Sequence, residues 1–342
     1  MTAATLAESG QADTMLSELP LVFTREVASQ CGYSIGQIKH RLTTGEWTRI
    51  RRGVYTESRR LTGDNGESPS AEFLAELATL ASAVAAARQP VWLAGRSARR
   101  LHGLPEAHQP GDVVTLACQV GGNHHTTHDG MTITPSAVPP HHRTEVHGIP
   151  TLSAPRTVVD ALRLEQLPAA LMIGDRALRL ASVTRGRSGA SRDELNGVLN
   201  DCCGWPGIVQ ARERAALLDG RRETPLESGS VAMFIDCGLP IPEPQYEVWL
   251  DGRFVGRSDF AWIARRTLGE ADGKTKYVDD LPNAGPLAER IWRERLRQDG
   301  LQQAGWEVVR WTDYERRHYP ERVRQRILAA FARAQRLGLT HP

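Results

Sequence analysis

Two residues constrain this chain more than any others. Asp251-Gly252 separates Tyr246-Glu247-Val248-Trp249-Leu250 from Arg253-Phe254-Val255. An Asp-Gly pair supplies the left-handed backbone that a two-residue hairpin turn needs, and the flanking runs have the aromatic and β-branched character of strands. A third strand is expected over 267–272, then a polar helix over 286–304, a strand over 307–311 and a final helix over 320–336. Upstream, Thr224-Pro225-Leu226-Glu227 forms a capping box with proline at the first helical position, opening a helix that runs to about residue 237. The order α-β-β-β-α-β-α specifies a mixed sheet flanked by helices, and so an α/β class for this part of the chain.

That sheet orders the most informative side chains. Successive strand residues alternate faces, so Glu270 and Asp272 project from one side, with Lys274 next in the same register. Asp259 ends the preceding strand, where a hairpin return brings it toward Glu270. Carboxylates gathered at one sheet edge repel unless a cation lies between them, and a hard divalent ion such as Mg²⁺ prefers an all-oxygen set. Such an ion polarises a phosphoryl oxygen and activates water, while a lysine stabilises developing charge. Charged edge strands also carry Lys and Asp as protection against edge pairing. Lysine usage separates the two readings: of 42 Lys+Arg only Lys39, Lys274 and Lys276 are lysine, and two of these fall in Asp272-Gly273-Lys274-Thr275-Lys276. A compact ammonium with a tunable pKa is not interchangeable with guanidinium.

Several separated motifs share their order with a known family. These are Glu223-Thr224-Pro225-Leu226-Glu227-Ser228, Gly256-Arg257-Ser258-Asp259-Phe260-Ala261-Trp262, Gly269-Glu270-Ala271-Asp272-Gly273-Lys274-Thr275-Lys276-Tyr277 and Gly305-Trp306-Glu307-Val308-Val309-Arg310-Trp311. Together, over about 222–335, they resemble the Vsr-like branch of the PD-(D/E)xK nuclease superfamily. The resemblance implies a restriction-endonuclease-like fold and Mg²⁺-dependent hydrolysis of DNA phosphodiesters. It makes Asp259 and Glu270 metal ligands and Asp272 either a further ligand or the acid of the D-x-K, with Lys274 as the basic residue. Glu227 matches a helix acid of the superfamily, a position its capping role explains equally well. Residues 286–326 hold ten Arg and seven acids, and Arg297 and Arg310 are the candidates there for phosphate contacts.

The N-terminal part carries a different pattern. A short helix over 24–30, a break at Cys31-Gly32-Tyr33 and a second helix over 35–42 capped by Ser34 precede a hairpin turning at Arg51-Arg52-Gly53. Two helices in tight succession followed by a hairpin make a winged helix-turn-helix. Residues 39–60 contain seven Lys/Arg and two acids. Lys39 and Arg41 fall on the recognition helix with Gln37 placed toward base edges, while Arg49, Arg51 and Arg52 fall on the wing. Residues 20–56 resemble the N-terminal domain of AbiEi-type antitoxins, repressors paired with a nucleotidyltransferase toxin. The run Gly148-Ile149-Pro150-Thr151-Leu152-Ser153-Ala154-Pro155-Arg156-Thr157-Val158-Val159-Asp160 resembles that family's following domain. Within it, Arg156 and Asp160 have the spacing of a helical ion pair.

The expected organisation is multi-domain α/β. It comprises a tail over 1–18, a winged helix-turn-helix over 19–62, an α/β middle domain over 63–185, a helical linker over 186–221 and the nuclease-like domain over 222–336. The expected partners are DNA and, by the antitoxin resemblance, a cognate toxin; a homodimer is compatible with either. A net charge of +2 conceals the basic N-terminal stretch. Neither a membrane span nor a basic-then-apolar leader is visible, so the expected location is the cytoplasm. Cys31, Cys118, Cys202, Cys203 and Cys237 have no metal-binding spacing and read as free thiols, and His124, His125, His128, His141 and His142 read as a polar loop. The alternative to a nuclease is a repressor or antitoxin whose nuclease-like domain is a catalytically inactive interaction module.

Overall fold

The computed structural model describes residues 19–60, 70–87, 89–105, 113–119, 126–128, 130–184, 189–273 and 287–339. The protein is mixed α/β, and the chain divides into two compact units, Met1–Thr157 and Val158–Pro342.

The first unit opens with β1 (Phe23–Thr24), α1 (Arg25–Gln30), α2 (Ile35–Thr43), β2 (Trp47–Arg51) and β3 (Val54–Glu57). Local chemistry explains the two helices. The Thr24 hydroxyl accepts from Val27 N, and Ser34 and Gln37 close a reciprocal capping box. Gly32, at φ +90°, makes the turn between them. Phe23, Tyr33, Trp47 and Tyr55 fill the space beneath, with Trp47 edge-on to both Phe23 and Tyr33. β1 pairs with β3 and gives the sheet order β1-β3-β2, an added strand too short for the sequence to announce.

The chain continues through α3 (Ala71–Ala86), β4 (Val91–Leu93), α4 (Gly95–Leu101), β5 (Val114–Cys118), β6 (Thr126–His128), β7 (Met131–Pro135), β8 (Arg143–Val146), β9 (Ile149–Leu152) and α5 (Ala154–Leu164). The strands form a sheet in the order β6-β7-β5-β4-β9-β8. One core cluster takes Val22 and Val54 from the N-terminal elements, Leu74, Leu77 and Leu80 from α3, and Leu93, Leu116 and Ile149 from the larger sheet. The expected division at 62/63 therefore falls inside a single core, because α3 buries apolar side chains against both sheets. His142 is 1% exposed and its Nδ1 accepts from the buried Arg156 guanidinium, which also donates to Ala137 O and Ser136 Oγ. That corrects the reading of this histidine as part of a solvent loop. His124 and His125 lie outside the described residues, and Asp160 pairs with Arg163 at 2.9 Å.

The second unit adds α6 (Leu167–Val183), α7 (Arg192–Asp201), α8 (Ile208–Ala216) and α9 (Pro225–Asp236). The sheet strands are β10 (Glu243–Leu250), β11 (Arg253–Trp262) and β12 (Thr267–Asp272). After them come α10 (Leu287–Gln303), β13 (Glu307–Thr312), α11 (Asp313–His318) and α12 (Pro320–Arg336). The Asp251-Gly252 turn joins β10 to β11 as expected, with both turn residues at positive φ. Strand order is β10-β11-β12-β13, antiparallel except for the parallel β12–β13 pair. The helices before the sheet belong to the same unit: the buried Arg222 donates to Asp175 Oδ2 at 2.7 Å, and Asp219 N donates to Asp175 Oδ1 at 2.7 Å. Residues 189–221 thus belong to the same compact unit as the sheet that follows.

The four-stranded sheet has two distinct faces. One carries Phe260, Trp262 and Trp311, which with Phe234 of α9 form a cluster of ring contacts between 5.2 and 5.8 Å. Gly269 belongs to this face, and a Cβ there would stand 2.6 Å from the Trp311 ring. The other face packs Val248, Ala261 and Leu268 against Leu301, Ala304 and Trp306 at the end of α10. Strand alternation puts Glu270 and Asp272 on this second face.

Candidate functional site

The acidic end of the sheet lies where β11 and β12 diverge. Regular pairing ends at Phe260↔Gly269, and beyond it Asp259 Oδ2 accepts a 2.8 Å hydrogen bond from Ala271 N. The bond fixes the carboxylate in the gap between the strands and satisfies a backbone donor at the end of the ladder. Asp272 closes β12 and is half-buried, in register with Thr312 of β13. Lys274 lies outside the described residues.

Glu270 has different surroundings. It is 7% exposed, and both of its oxygens are engaged by arginine. Arg297 of α10 donates from Nη1 to Oε1 at 2.7 Å and from Nη2 to Oε2 at 3.1 Å, while Arg310 of β13 donates from Nε to Oε2 at 2.6 Å. Glu294 completes the network from the solvent side through Arg297 and Arg310. Two packing details make this possible. The parallel register places Arg310 directly beside Glu270, and Gly256 lets α10 lay the Arg297 stem over β11, where a Cβ would be 3.3 Å from Arg297 Cγ.

The electrostatics follow from these contacts. Burial pushes the Glu270 carboxyl up, but the hydrogen bonds and charges of Arg297 and Arg310 outweigh it and leave it below the ordinary range. Glu294 is lowered chiefly by its hydrogen bond from Arg297, and Arg297 is raised by its bonds to Glu294 and Glu270. Glu270 is thus a fixed carboxylate already compensated by two cations. Among the described residues, Asp259, Glu270 and Asp272 do not form a set whose ligand atoms all lie within 4.8 Å of one another. The expected three-acid cluster is not formed: Asp259 lies within β11 and does not end it, at the point where pairing with β12 stops; Asp272 closes β12, and Glu270 sits inside an arginine clamp. Arg297 and Arg310, expected on phosphate, spend their guanidinium donors on that clamp.

Mg²⁺ commonly takes only one or two protein carboxylates, with substrate phosphate oxygens and water completing its shell. Asp259 and Asp272 are carboxylates of that kind, whereas both oxygens of Glu270 are engaged by arginine. Glu227 is 3% exposed, and its oxygens accept from Glu223 N, the Thr224 hydroxyl and Gln245 Nε2. It serves the start of α9 and the adjoining strand, as its capping position implies.

A cavity of about 590 Å³ opens at the same end of β12, on the opposite face of the sheet. Ala271 and Gly273, the residues on either side of Asp272, contribute to its lining, as do Thr224, Pro225 and Leu226 at the start of α9. α11 supplies Asp313, Tyr314, Arg317 and His318. Sequence reasoning passed over α11 altogether. Its signal was Thr312-x-x-Glu315 directly after the strand, which the structure shows as a reciprocal capping box.

The basic residues of the first unit are distributed unevenly. Lys39, Arg49 and Arg52 are exposed, Lys39 on α2, Arg49 on β2 and Arg52 in the turn. Arg51 is the last residue of β2, in register with Val54. Arg41 is turned back onto Glu46 and lies over the Tyr33 ring. The Gln37 side chain accepts from Ser34 N at 2.8 Å, an engagement that ties it to the helix start instead of leaving it for base edges. Both acids of the 39–60 stretch have internal partners, Glu46 with Arg41 and Glu57 with Arg59 and Arg60.

These are the features of a mixed α/β protein with a helix-turn-helix-hairpin segment in one unit and an αβββαβ sheet core in the other. No family model matches the chain. The uncharacterized proteins Rv2248 of Mycobacterium tuberculosis strain H37Rv and MT2308 of strain CDC 1551 / Oshkosh are each 35% identical to it over 182 residues, which is 53% of this chain and 62% of the relative. The match thus spans less than two thirds of those relatives' length. Among the described residues no helix is long and apolar enough to cross a membrane.

Proposed function

We propose that this is a DNA-binding protein whose second unit is a Mg²⁺-dependent endonuclease of the PD-(D/E)xK type. The observation that carries the reading is the end of β12. Asp259 is pinned between β11 and β12 by Ala271 N, Asp272 closes β12, and both stand at the open end of a mixed αβββαβ sheet. Asp259 and Asp272 would hold the cation together with a phosphate oxygen of the DNA. Bound there, the ion would supply Lewis-acid polarisation of the phosphoryl group and a more acidic water. The protein's own share is positional: strand pairing holds the two acids, and the Glu270 clamp fixes α10 and β13 against β12. Lys39, Arg49, Arg51 and Arg52 would contact duplex phosphates from the first unit.

Cleavage of plasmid and oligonucleotide DNA by the purified chain with Mg²⁺ tests this. Asp259→Asn and Asp272→Asn are each expected to reduce cutting at least 100-fold while leaving DNA binding in EDTA intact. Equal cutting by wild type and both variants, or none by any of them, would overturn the reading.

The Glu270 clamp favours a second reading, because a catalytic carboxylate of this motif would not normally be neutralised by two arginines. Here the chain is a repressor or antitoxin with a silent nuclease-like module. It then binds its own promoter in a salt-sensitive manner, is weakened by Arg52→Ala, is indifferent to Asp259→Asn and cuts nothing.

A further inference from the structure

The cavity beside Asp272 has the wrong lining for a second carboxylate site and the right one for a flat ring. Tyr314 is 52% exposed at its wall, and its ring centroid is 4.5 Å from that of His318 and 5.8 Å from that of Tyr319. The Arg322 guanidinium lies 4.5 Å from the Tyr319 centroid, and Arg317 is on the wall itself, its Nη2 paired with Asp313 Oδ2 at 2.8 Å. Met172 and Leu226 make the wall apolar elsewhere. A volume of about 590 Å³ is in the range of pockets that bury a small flat ligand.

Exposed aromatic rings in series with arginines among them are what proteins use to stack unpaired bases, since every base offers a π-face and the arginines meet the backbone. Position narrows the ligand further. The lining residues Ala271 and Gly273 flank Asp272 in sequence, so the cavity opens at the same end of β12 on the face opposite the Asp272 side chain, and a strand that rounds this end from a phosphate at Asp272 brings its neighbouring nucleotide to the cavity.

We infer that this cavity takes an unstacked nucleobase of the DNA strand engaged at Asp272, with Tyr314 and His318 as the stacking surface and Arg317 on the adjoining phosphate. The inference rests on the DNA reading above and names the form of DNA it prefers: single-stranded, or carrying an unpaired base. An aromatic wall gains little from a fully paired duplex, whose bases are already stacked, so the preference is for strands that have a base to offer.

The test uses the full chain with Ca²⁺ in place of Mg²⁺, so that the strand is held without being cut, and a single-stranded oligonucleotide containing 2-aminopurine, whose fluorescence reports stacking. Wild type is expected to quench the probe. Tyr314→Ala should weaken single-strand binding roughly 5- to 100-fold, the span of base-aromatic stacking, and lose the quenching. Tyr314→Phe should keep both. A fully paired duplex should bind wild type and Tyr314→Ala alike. Tyr314 is half exposed, so the substitution is expected to leave the thermal melt unchanged, and the duplex arm serves as the folding control.

Unchanged single-strand affinity and quenching in Tyr314→Ala would overturn the inference. Asp272→Asn separates it from the nuclease reading. If that variant quenches normally but wild type and variant cut equally, the nuclease reading falls and the stacking pocket stands. If wild type binds neither DNA, both fall.

Discussion

Burial alone would make the Glu270 carboxyl easier to protonate, yet Arg297 and Arg310 hold it below the ordinary carboxylate range. Its folded-state affinity for a proton is therefore lower than in the unfolded chain, where glutamate titrates near ~4.3. The stability it contributes is complete above that value and is lost as pH falls through its lower folded value. Replacing it by Gln removes the charge that two half-buried guanidiniums face. Hydrogen bonds to charged groups typically contribute ~1.5–3 kcal/mol, so Glu270→Gln is expected to cost about 2 kcal/mol at pH 7. Urea midpoints at pH 7 and pH 3.5 check this: the gap between wild type and variant should be wider at the first than at the second. A gap of the same width at both would mean that Glu270 acts through packing and not through its charge.

At the scale of elements, the β12–β13 pair brings both sheet faces to one place. On one face it sets Arg310 beside Glu270, and on the other it sets the Trp311 indole over Gly269, with Trp311 Nε1 donating to Ser230 Oγ at 2.9 Å. A methyl at position 269 would be 2.6 Å from the ring. Overpacking a well-filled core costs ~1–3 kcal/mol. Gly269→Ala is therefore expected to lower the unfolding free energy by that amount, read as a lower urea midpoint, and to shift tryptophan emission, while Gly252→Ala, in the open hairpin turn, should leave the environment of Trp311 alone. An unchanged midpoint in Gly269→Ala would show that β13 can move away from β12, and with it Arg310 from Glu270. Much of this element was legible in the sequence: residues 267–272 and 320–336 were expected as the strand and helix that the structure contains. The short elements were not. β1 has two residues and depends on pairing with β3, and α11 has six. Pieces this short have too little periodicity of their own, so tertiary contacts decide them.

Across the whole molecule, the net charge of +2 says little, because charge is sorted locally. In the 39–60 stretch Arg41, Arg59 and Arg60 form ion pairs with Glu46 and Glu57, and Lys39, Arg49 and Arg52 are exposed. If these meet phosphates, the logarithm of affinity for duplex DNA should fall linearly with the logarithm of salt, with a slope of ~0.9 per phosphate neutralised. Arg52→Ala should reduce that slope by about one and weaken different sequences alike, whereas Arg59→Ala should change neither. Slopes measured by fluorescence anisotropy between 50 and 300 mM salt decide the matter. An Arg52→Ala slope equal to that of wild type would remove the turn from the DNA interface.

By itself the sequence determined the local architecture. Caps, glycine turns and the alternation of strands are written within a few residues, and the Asp251-Gly252 turn was enough to pair the two strands it joins. It also determined that Asp259, Glu270 and Asp272 would reach one end of one sheet. Only the tertiary structure decided what each acid does there. The partners of Glu270 come from 27 and 40 residues away in sequence, through the docking of α10 and the parallel register of β13. Spacing encodes which face of a strand a side chain occupies. Which charge it meets on that face is set by long-range packing, and packing is what turned a candidate metal ligand into the centre of an arginine clamp.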